Sequence, residues 1–153
     1  MTSEKIIFLD AENTGLSPFA QALFIKKIKG YKSIDLKVLS RGNVVLFPEP
    51  VNQKLKEVAK DFGINLEHHS ARQIDSGDFQ GALILSMDTD SKTRIYRRNA
   101  DAANVYTLKE YLGEIGDIKL PIGGTLEEYA EVCRSLDILL DKLLDKIRAE
   151  ADS

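Results

Sequence analysis

Residues 5–24, KIIFLDAENTGLSPFAQALF, constrain the fold more than any other stretch of the chain. An uninterrupted apolar run stops at Asp10, a short polar loop follows, and Ser17 and Pro18 open an apolar helix. A run without polar alternation is the pattern of a strand covered on both faces, as in a parallel sheet. A strand that feeds a compact loop and a helix N-terminus is also the usual scaffold of a phosphate site, because loop amides and helix dipole converge on one point. This loop, however, carries Asp10 and Glu12 and no basic residue. The backbone suits an anion and the side chains oppose one.

The rest of the chain repeats the strand-then-helix order. Ser17 is the expected N-cap of a helix over 17–30, with Pro18 at its first position and Gly30 at its end. DLKVLSRG, 35–42, alternates and predicts a more exposed strand, and PVNQKLKEVAKDFGI, 50–64, an amphipathic helix with Val51, Leu55, Val58, Ala59 and Phe62 on one face. ALILSM, 82–87, is a second buried strand, followed by a polar helix through Thr89 to Arg98 and a third apolar run at 104–108. From Thr125 a long helix begins, opened by a capping box with Glu128. Its stripe is Tyr129, Val132, Cys133, Leu136, Leu139, Leu140, Leu143 and Leu144, which is core packing rather than a cofactor or nucleophile site. Alternating strands and helices predict an α/β protein, a parallel sheet between two helical layers with right-handed crossovers. No internal repeat or linker divides the chain, so residues 1–153 are expected to form a single domain.

Composition removes several classes of function. A formal net charge of -3 gives no electrostatic reason to expect nucleic acid or a membrane surface. The lone cysteine, Cys133, allows neither an intramolecular disulfide nor a thiolate metal cluster. Apolar runs such as IIFL and ALIL are strand-sized, and Met1 to Lys5 leads straight into a strand with no room for a signal peptide. A cytoplasmic monomer or weak dimer is the expectation. His68 and His69 lack acidic or Cys partners at ligand spacing and are read as surface or loop-packing residues. Arg94, Arg97 and Arg98 share one helical face, read as a solvated face, with a surface for an acidic partner as the alternative.

Longer patterns carry a family resemblance. VYTLKEYLGEIGDIKLPIGGTLEEYAEVCRSLDILLDKLLDKI, 105–147, resembles the C-terminal third of bacterial low molecular weight protein tyrosine phosphatases, with their "TLKEY", "GD", "Asp-Pro-Phe-Gly-Gly-Ser" and long last helix. Asn13, Thr14, Ser17, Pro18, Ala20, Ala22, Leu23 and Phe24 match the family's loop and first helix. VLSRG, HHSARQI and LILSMD match its later segments in order. The resemblance implies a phosphotyrosine phosphatase I-like fold, a four-stranded parallel sheet of order 2-1-3-4 in three α/β/α layers. It also implies that residues 11–17 (Ala11, Glu12, Asn13, Thr14, Gly15 and Ser17 with Leu16) are the equivalent of the phosphate-binding loop, or P-loop.

The departures fall on the chemistry. Asp10 stands where the family has its nucleophilic Cys, Leu16 where it has the phosphate-gripping Arg, and Leu120 where it has the general-acid Asp. Gly15 replaces a frequent second loop Cys. The family reaction needs a thiolate, a guanidinium and an acid, and all three are missing together. A carboxylate about 4 Å from a phosphate costs roughly 4 kcal/mol per unit of phosphate charge at an effective dielectric near 20. Loop amides and the helix dipole, about 1 kcal/mol each, do not offset that. The expectation is an inactive homologue, a binding or regulatory protein for an unknown protein or small-molecule partner, with no cofactor. Its Asp10 carboxylate would fill the anion hole, accept the loop amides and have a depressed pKa.

Two other readings start from the same residues. DAENT alone resembles the "D-x-D-x-T" loop of haloacid-dehalogenase-type phosphatases and the "D-x-x-N" strand end of PIN-like nucleases. On that reading Asp10, Glu12, Asp88 and Asp90 converge on Mg²⁺ at the carboxyl ends of adjacent strands, giving a metal-dependent phosphohydrolase or nuclease. The third reading is a small-molecule binder, its mouth made apolar by Leu16 and Leu120.

Overall fold

The structure, a computed structural model, describes residues 3–151. Four parallel strands form one sheet in the order β2-β1-β3-β4, where β1 is Lys5–Asp10, β2 Lys37–Gly42, β3 Ala82–Ser86 and β4 Val105–Thr107. The helices are α1 Leu16–Ile28, α2 Gln53–Ala59, α3 Thr89–Arg98, α4 Leu108–Tyr111 and α5 Leu126–Ala151. Successive residues of a strand face opposite sides of a sheet. On β1, Ile6 and Phe8 therefore join the larger core, with Phe19 and Phe24 of α1 and Leu136 and Leu140 of α5. Ile7 and Leu9 join the smaller core with Ile84, Ile95 and Val105. The central strand is covered on both faces, as its unbroken apolar run requires. The sheet order and parallel sense expected from the resemblance are those observed. Among the described residues no helix is long and apolar enough to cross a membrane.

Helix limits follow local chemistry where capping is local. α3 covers the expected Thr89–Arg98, with the Asp88 side chain accepting the Ser91 amide at 2.7 Å. The Thr125–Glu128 box opens α5 as its sequence predicts, the Thr125 hydroxyl accepting the Glu128 amide at 3.2 Å and Glu128 accepting the Thr125 amide at 3.0 Å. The 50–64 helix is shorter than its amphipathic pattern. Asn52 caps it through the Leu55 amide at 3.2 Å, α2 ends at Ala59, and one 3₁₀ turn, Lys60–Phe62, runs into a left-handed Gly63. α4 was absent from the periodicity because four residues carry no period. Its own capping box, Thr107 with Glu110, is the local signal that opens it.

β2 departs from expectation at its C-terminal half. Although it is an edge strand, Ser40, Arg41 and Gly42 are buried. The segment around residues 72–74 covers that edge: the Gly42 amide donates to the Arg72 carbonyl and the Ile74 amide to the Gly42 carbonyl, both at 2.9 Å. Covering an edge removes exposed pairing groups. Arg41 turns beneath this cover and pairs with Asp78 at 3.1 Å, both side chains nearly enclosed.

Gly42 also decides how close β2 lies to the loop after β1. A Cβ there would sit 2.7 Å from the Glu12 carbonyl carbon and 2.8 Å from the Asn13 nitrogen, both backbone atoms that cannot swing aside. Gly42→Ala is therefore expected to destabilise the protein by about 1–3 kcal/mol, the usual cost of overpacking. Urea denaturation with an unchanged slope and a lower midpoint would report it. An unchanged midpoint would mean that the loop yields freely.

Candidate active-site loop

The site lies at the carboxyl ends of β1 and β3, where open α/β sheets bind ligands. The loop Ala11–Gly15 is held from both sides by segments distant in sequence. The Asn43 amide donates to the Asp10 carbonyl and the Val44 amide to the Ala11 carbonyl, each at 3.1 Å, while the Asn52 amide reaches the Thr14 carbonyl at 2.8 Å. At its centre Asn13 has φ 60, the left-handed region that Asn tolerates better than most side chains. Asn13 is fully buried, and all its polar groups are used. Its Oδ1 accepts the Arg72 amide and its Nδ2 donates to the Ser17 hydroxyl, both at 2.9 Å. Its carbonyl accepts from His69 Nε2 at 2.7 Å. His69 is thus the loop-packing residue its spacing suggested, and its partner is the loop itself.

Asp10 folds back under this loop. Oδ1 accepts the Asn13 amide at 2.6 Å and Oδ2 accepts the Ser17 amide at 3.0 Å. One carboxylate thereby takes two donors that an anion in the loop would otherwise receive. The same contact corrects the expected helix start. α1 begins at Leu16 with Gly15 in the cap position and no capping side chain of its own, so Ser17 is inside the first turn rather than at the N-cap. The capping acceptor comes instead from Asp10, at the end of the preceding strand. A carboxylate at that place also faces the positive end of the helix dipole.

The expected depression of the Asp10 pKa is not found. Burial under the loop pushes the carboxyl above its ordinary value. Hydrogen bonds from the Ser17 amide, the Asn13 amide, the Ser17 hydroxyl and the Gly15 amide pull it back without overcoming burial. The donors are visible in the sequence, whereas the desolvation depends on how deeply the side chain sits.

The two leucines stand on either side of this cradle. Leu16 is buried in the larger core and also lines the cleft above the loop. Leu120 is half-buried, and one of its methyls lies 3.4 Å from where a Cβ on Gly15 would be. The cleft has a volume of about 320 Å³, and Met87, Ile118, Leu120 and Ile122 give it apolar walls. Lys119, an exposed residue, is the one cation on its lining among the described residues and was not placed there by sequence reasoning. Within the loop, Ala11 and Glu12 are exposed and Thr14 and Gly15 half-buried.

The four acids proposed for Mg²⁺ do not gather. Among the described residues no three His, Cys, Asp or Glu side chains are grouped as a cation would need. Asp10 is turned to the loop amides, and Asp88 is occupied in capping α3. Asp90 faces outward on α3 and pairs with Arg94 at 2.9 Å. Glu12 is exposed at the loop, where it borders both the cleft and the neighbouring surface. All four lie in segments that follow β1 or β3, but side-chain direction separates them. On the same helix Arg94 and Arg98 are exposed yet engaged, Arg98 donating to the Asn43 carbonyl at 2.7 Å.

Comparison with known proteins places this geometry. The family described as low molecular weight phosphotyrosine protein phosphatase matches residues 5–153. The low molecular weight protein-tyrosine-phosphatase PtpB of Staphylococcus haemolyticus is 31% identical over 139 residues, covering 91% of this chain and 96% of that protein. A protein-arginine-phosphatase of Geobacillus stearothermophilus is 30% identical over 149 residues, covering 95% and 97%. The crystal structure of a low molecular weight protein tyrosine phosphatase from T. tengcongensis superposes with a TM-score of 0.87 at 31% identity, covering 94% of this chain and 99% of that one. A family match over almost the whole length, with the same sheet order, leads to one conclusion: this chain belongs to the low molecular weight protein tyrosine phosphatase family.

Proposed function

We propose that this protein is a non-catalytic member of its family, a binding or regulatory protein whose anion site is filled by its own Asp10. The observation that carries the reading is the pair of bonds from the Asn13 and Ser17 amides to the two Asp10 oxygens. A phosphoryl group entering the loop would have to displace a hydrogen-bonded carboxylate and then sit beside it. Leu16 and Leu120 supply neither the guanidinium nor the acid that would offset this cost, and Lys119 at the rim is too exposed and too screened to replace them. Relatives named for tyrosine and arginine phosphatase activity act on phosphorylated side chains. Neither substrate class suits a loop whose base is already an anion.

The purified protein is expected to release no phosphate above background from para-nitrophenyl phosphate, a phosphotyrosine peptide or a phosphoarginine peptide. Turnover that disappears in the Asp10→Ala variant would overturn the proposal, since it would make Asp10 a phosphoryl acceptor. A second reading, binding of a small apolar molecule, draws on the walls formed by Met87, Ile118, Leu120 and Ile122. It concerns the same cleft and is compatible with an inactive loop.

A further inference from the structure

Beside the cleft, on the outer side of the loop, runs a second and larger groove. Its volume is about 430 Å³, and it lies between the loop, the segment after β2 and the start of α3. Three carboxylates line it, Glu12, Glu49 and Asp90, against one guanidinium, Arg94, which Asp90 already holds at 2.9 Å. Glu12 and Glu49 are exposed, and neither side chain has a hydrogen bond or ion pair among the described residues. Between the acids the wall is apolar: Leu46 is 81% exposed and Phe47 67% exposed, an unusual outlay of apolar surface on consecutive residues.

The buried lining carries an independent sign of what is missing. Asn43, 1% exposed, contributes to the groove, and its Nδ2 donates to the Ser91 carbonyl at 3.1 Å. Its Oδ1 is buried and accepts nothing among the described residues. A buried acceptor without a donor is rare in native proteins, because burial removes the water that would have served it. The groove thus combines uncompensated negative charge at its surface, an unmet acceptor in its buried wall and a bare aromatic ring.

We propose that this groove binds an arginine side chain on an extended apolar segment of a partner protein. A guanidinium offers five N–H donors in a planar fork that matches carboxylates such as the free Glu12 and Glu49, and its flat face stacks on an aromatic ring. Lysine has the charge without the fork. The residues flanking the arginine would cover Leu46 and Phe47. This inference rests on the non-catalytic reading, for it names the partner chemistry of the same end of the molecule.

The test uses the intact protein and a fluorescein-labelled hexapeptide of alternating leucine and arginine, followed by anisotropy in low salt. A second peptide has citrulline for arginine, which keeps the shape and removes the charge. The arginine peptide is expected to bind at least about tenfold more tightly than the citrulline peptide. The Glu12→Gln, Glu49→Gln double variant, changed only at exposed positions, should lose a similar factor. Added salt should weaken the arginine peptide selectively. Equal affinity for the two peptides, a double variant that binds as tightly as the wild type, or no binding at all would each overturn the inference. None of these outcomes touches the proposed lack of catalysis, which stands or falls on phosphate release alone.

Discussion

The triple variant Asp10→Cys, Leu16→Arg, Leu120→Asp is expected to hydrolyse para-nitrophenyl phosphate, while the wild type and the Asp10→Cys single variant stay at background. The backbone requirement is already met. The Asn13 and Ser17 amides converge on the end of β1, so a thiol at position 10 would be in reach of the donors that now hold a carboxylate. A helix N-terminus lowers a thiol pKa and makes it a nucleophile. The guanidinium brought in at position 16 would leave a buried backbone position but emerge along the cleft that Leu16 already lines. The carboxyl at position 120 would stand across the mouth, since Leu120 now lies within contact distance of the space over Gly15. A positioned general acid contributes typically about 10²–10⁴-fold. The triple variant should therefore exceed the single one by at least about a hundredfold in kcat/KM. A folded triple variant that binds phosphate but turns nothing over would show that the loop amides are not aimed at the transition state. Loss of fold at Leu16→Arg alone would instead be visible in its circular dichroism and is separated by testing the Asp10→Cys, Leu120→Asp pair.

The second large effect concerns Asp10→Ala. In water without added anion, the Asn13 and Ser17 amides lose their acceptors, and the cost of a buried donor left empty is about 1–3 kcal/mol. Part of this is returned, because the ionised carboxylate is itself held at a desolvation penalty. A net loss near 1 kcal/mol is the expected result. Phosphate or sulfate should then enter the emptied cradle, at least about tenfold more tightly than in the wild type, because the repulsion at roughly 4 kcal/mol per unit charge is gone. Urea melts of both proteins with and without phosphate measure both effects. A wild type stabilised by phosphate as much as the variant would end the idea of a filled anion hole.

The same pair of proteins carries a pH signature. Burial holds the folded-state pKa of the Asp10 carboxyl above its ordinary value, so the folded protein takes up a proton where the unfolded chain does not. The contribution of this group to stability is full below the unfolded pKa, about 3.9, and is lost as pH rises through the folded one. Wild type minus Asp10→Ala should therefore become more favourable as the pH is lowered from neutrality. The opposite slope would mean that the amide bonds outweigh burial after all.

What could be read without coordinates was whatever depends on neighbours along the chain. The apolar run at 5–10, the Thr125–Glu128 box and the polar limits of α3 each rest on local periodicity or local hydrogen bonds, and these fix element type regardless of tertiary context. The sheet order came from family resemblance, and the parallel sense agreed with it. The compact turn between β1 and α1 was also visible, because the apolar run ends at Asp10 and the next apolar helix opens a few residues later.

Everything that turns on side-chain direction and depth was decided by the tertiary structure. Asp10 caps α1 because the loop reverses at Asn13, and that reversal is held by Arg72, His69 and Asn52, which lie far away in sequence. The direction of its pKa shift follows from how deeply that turn tucks the carboxylate, a distance no motif encodes. The four acids share a sheet edge by sequence and diverge in space because two of them are spent on helix starts and two face solvent. The groove beside Phe47 could not be foreseen at all, since its walls come from three segments that meet only when β2 packs against β1 over a glycine. Hydrogen bonds between chain neighbours are written in the sequence; contacts between distant segments exist only after the chain has paid the entropy of closing the loops between them.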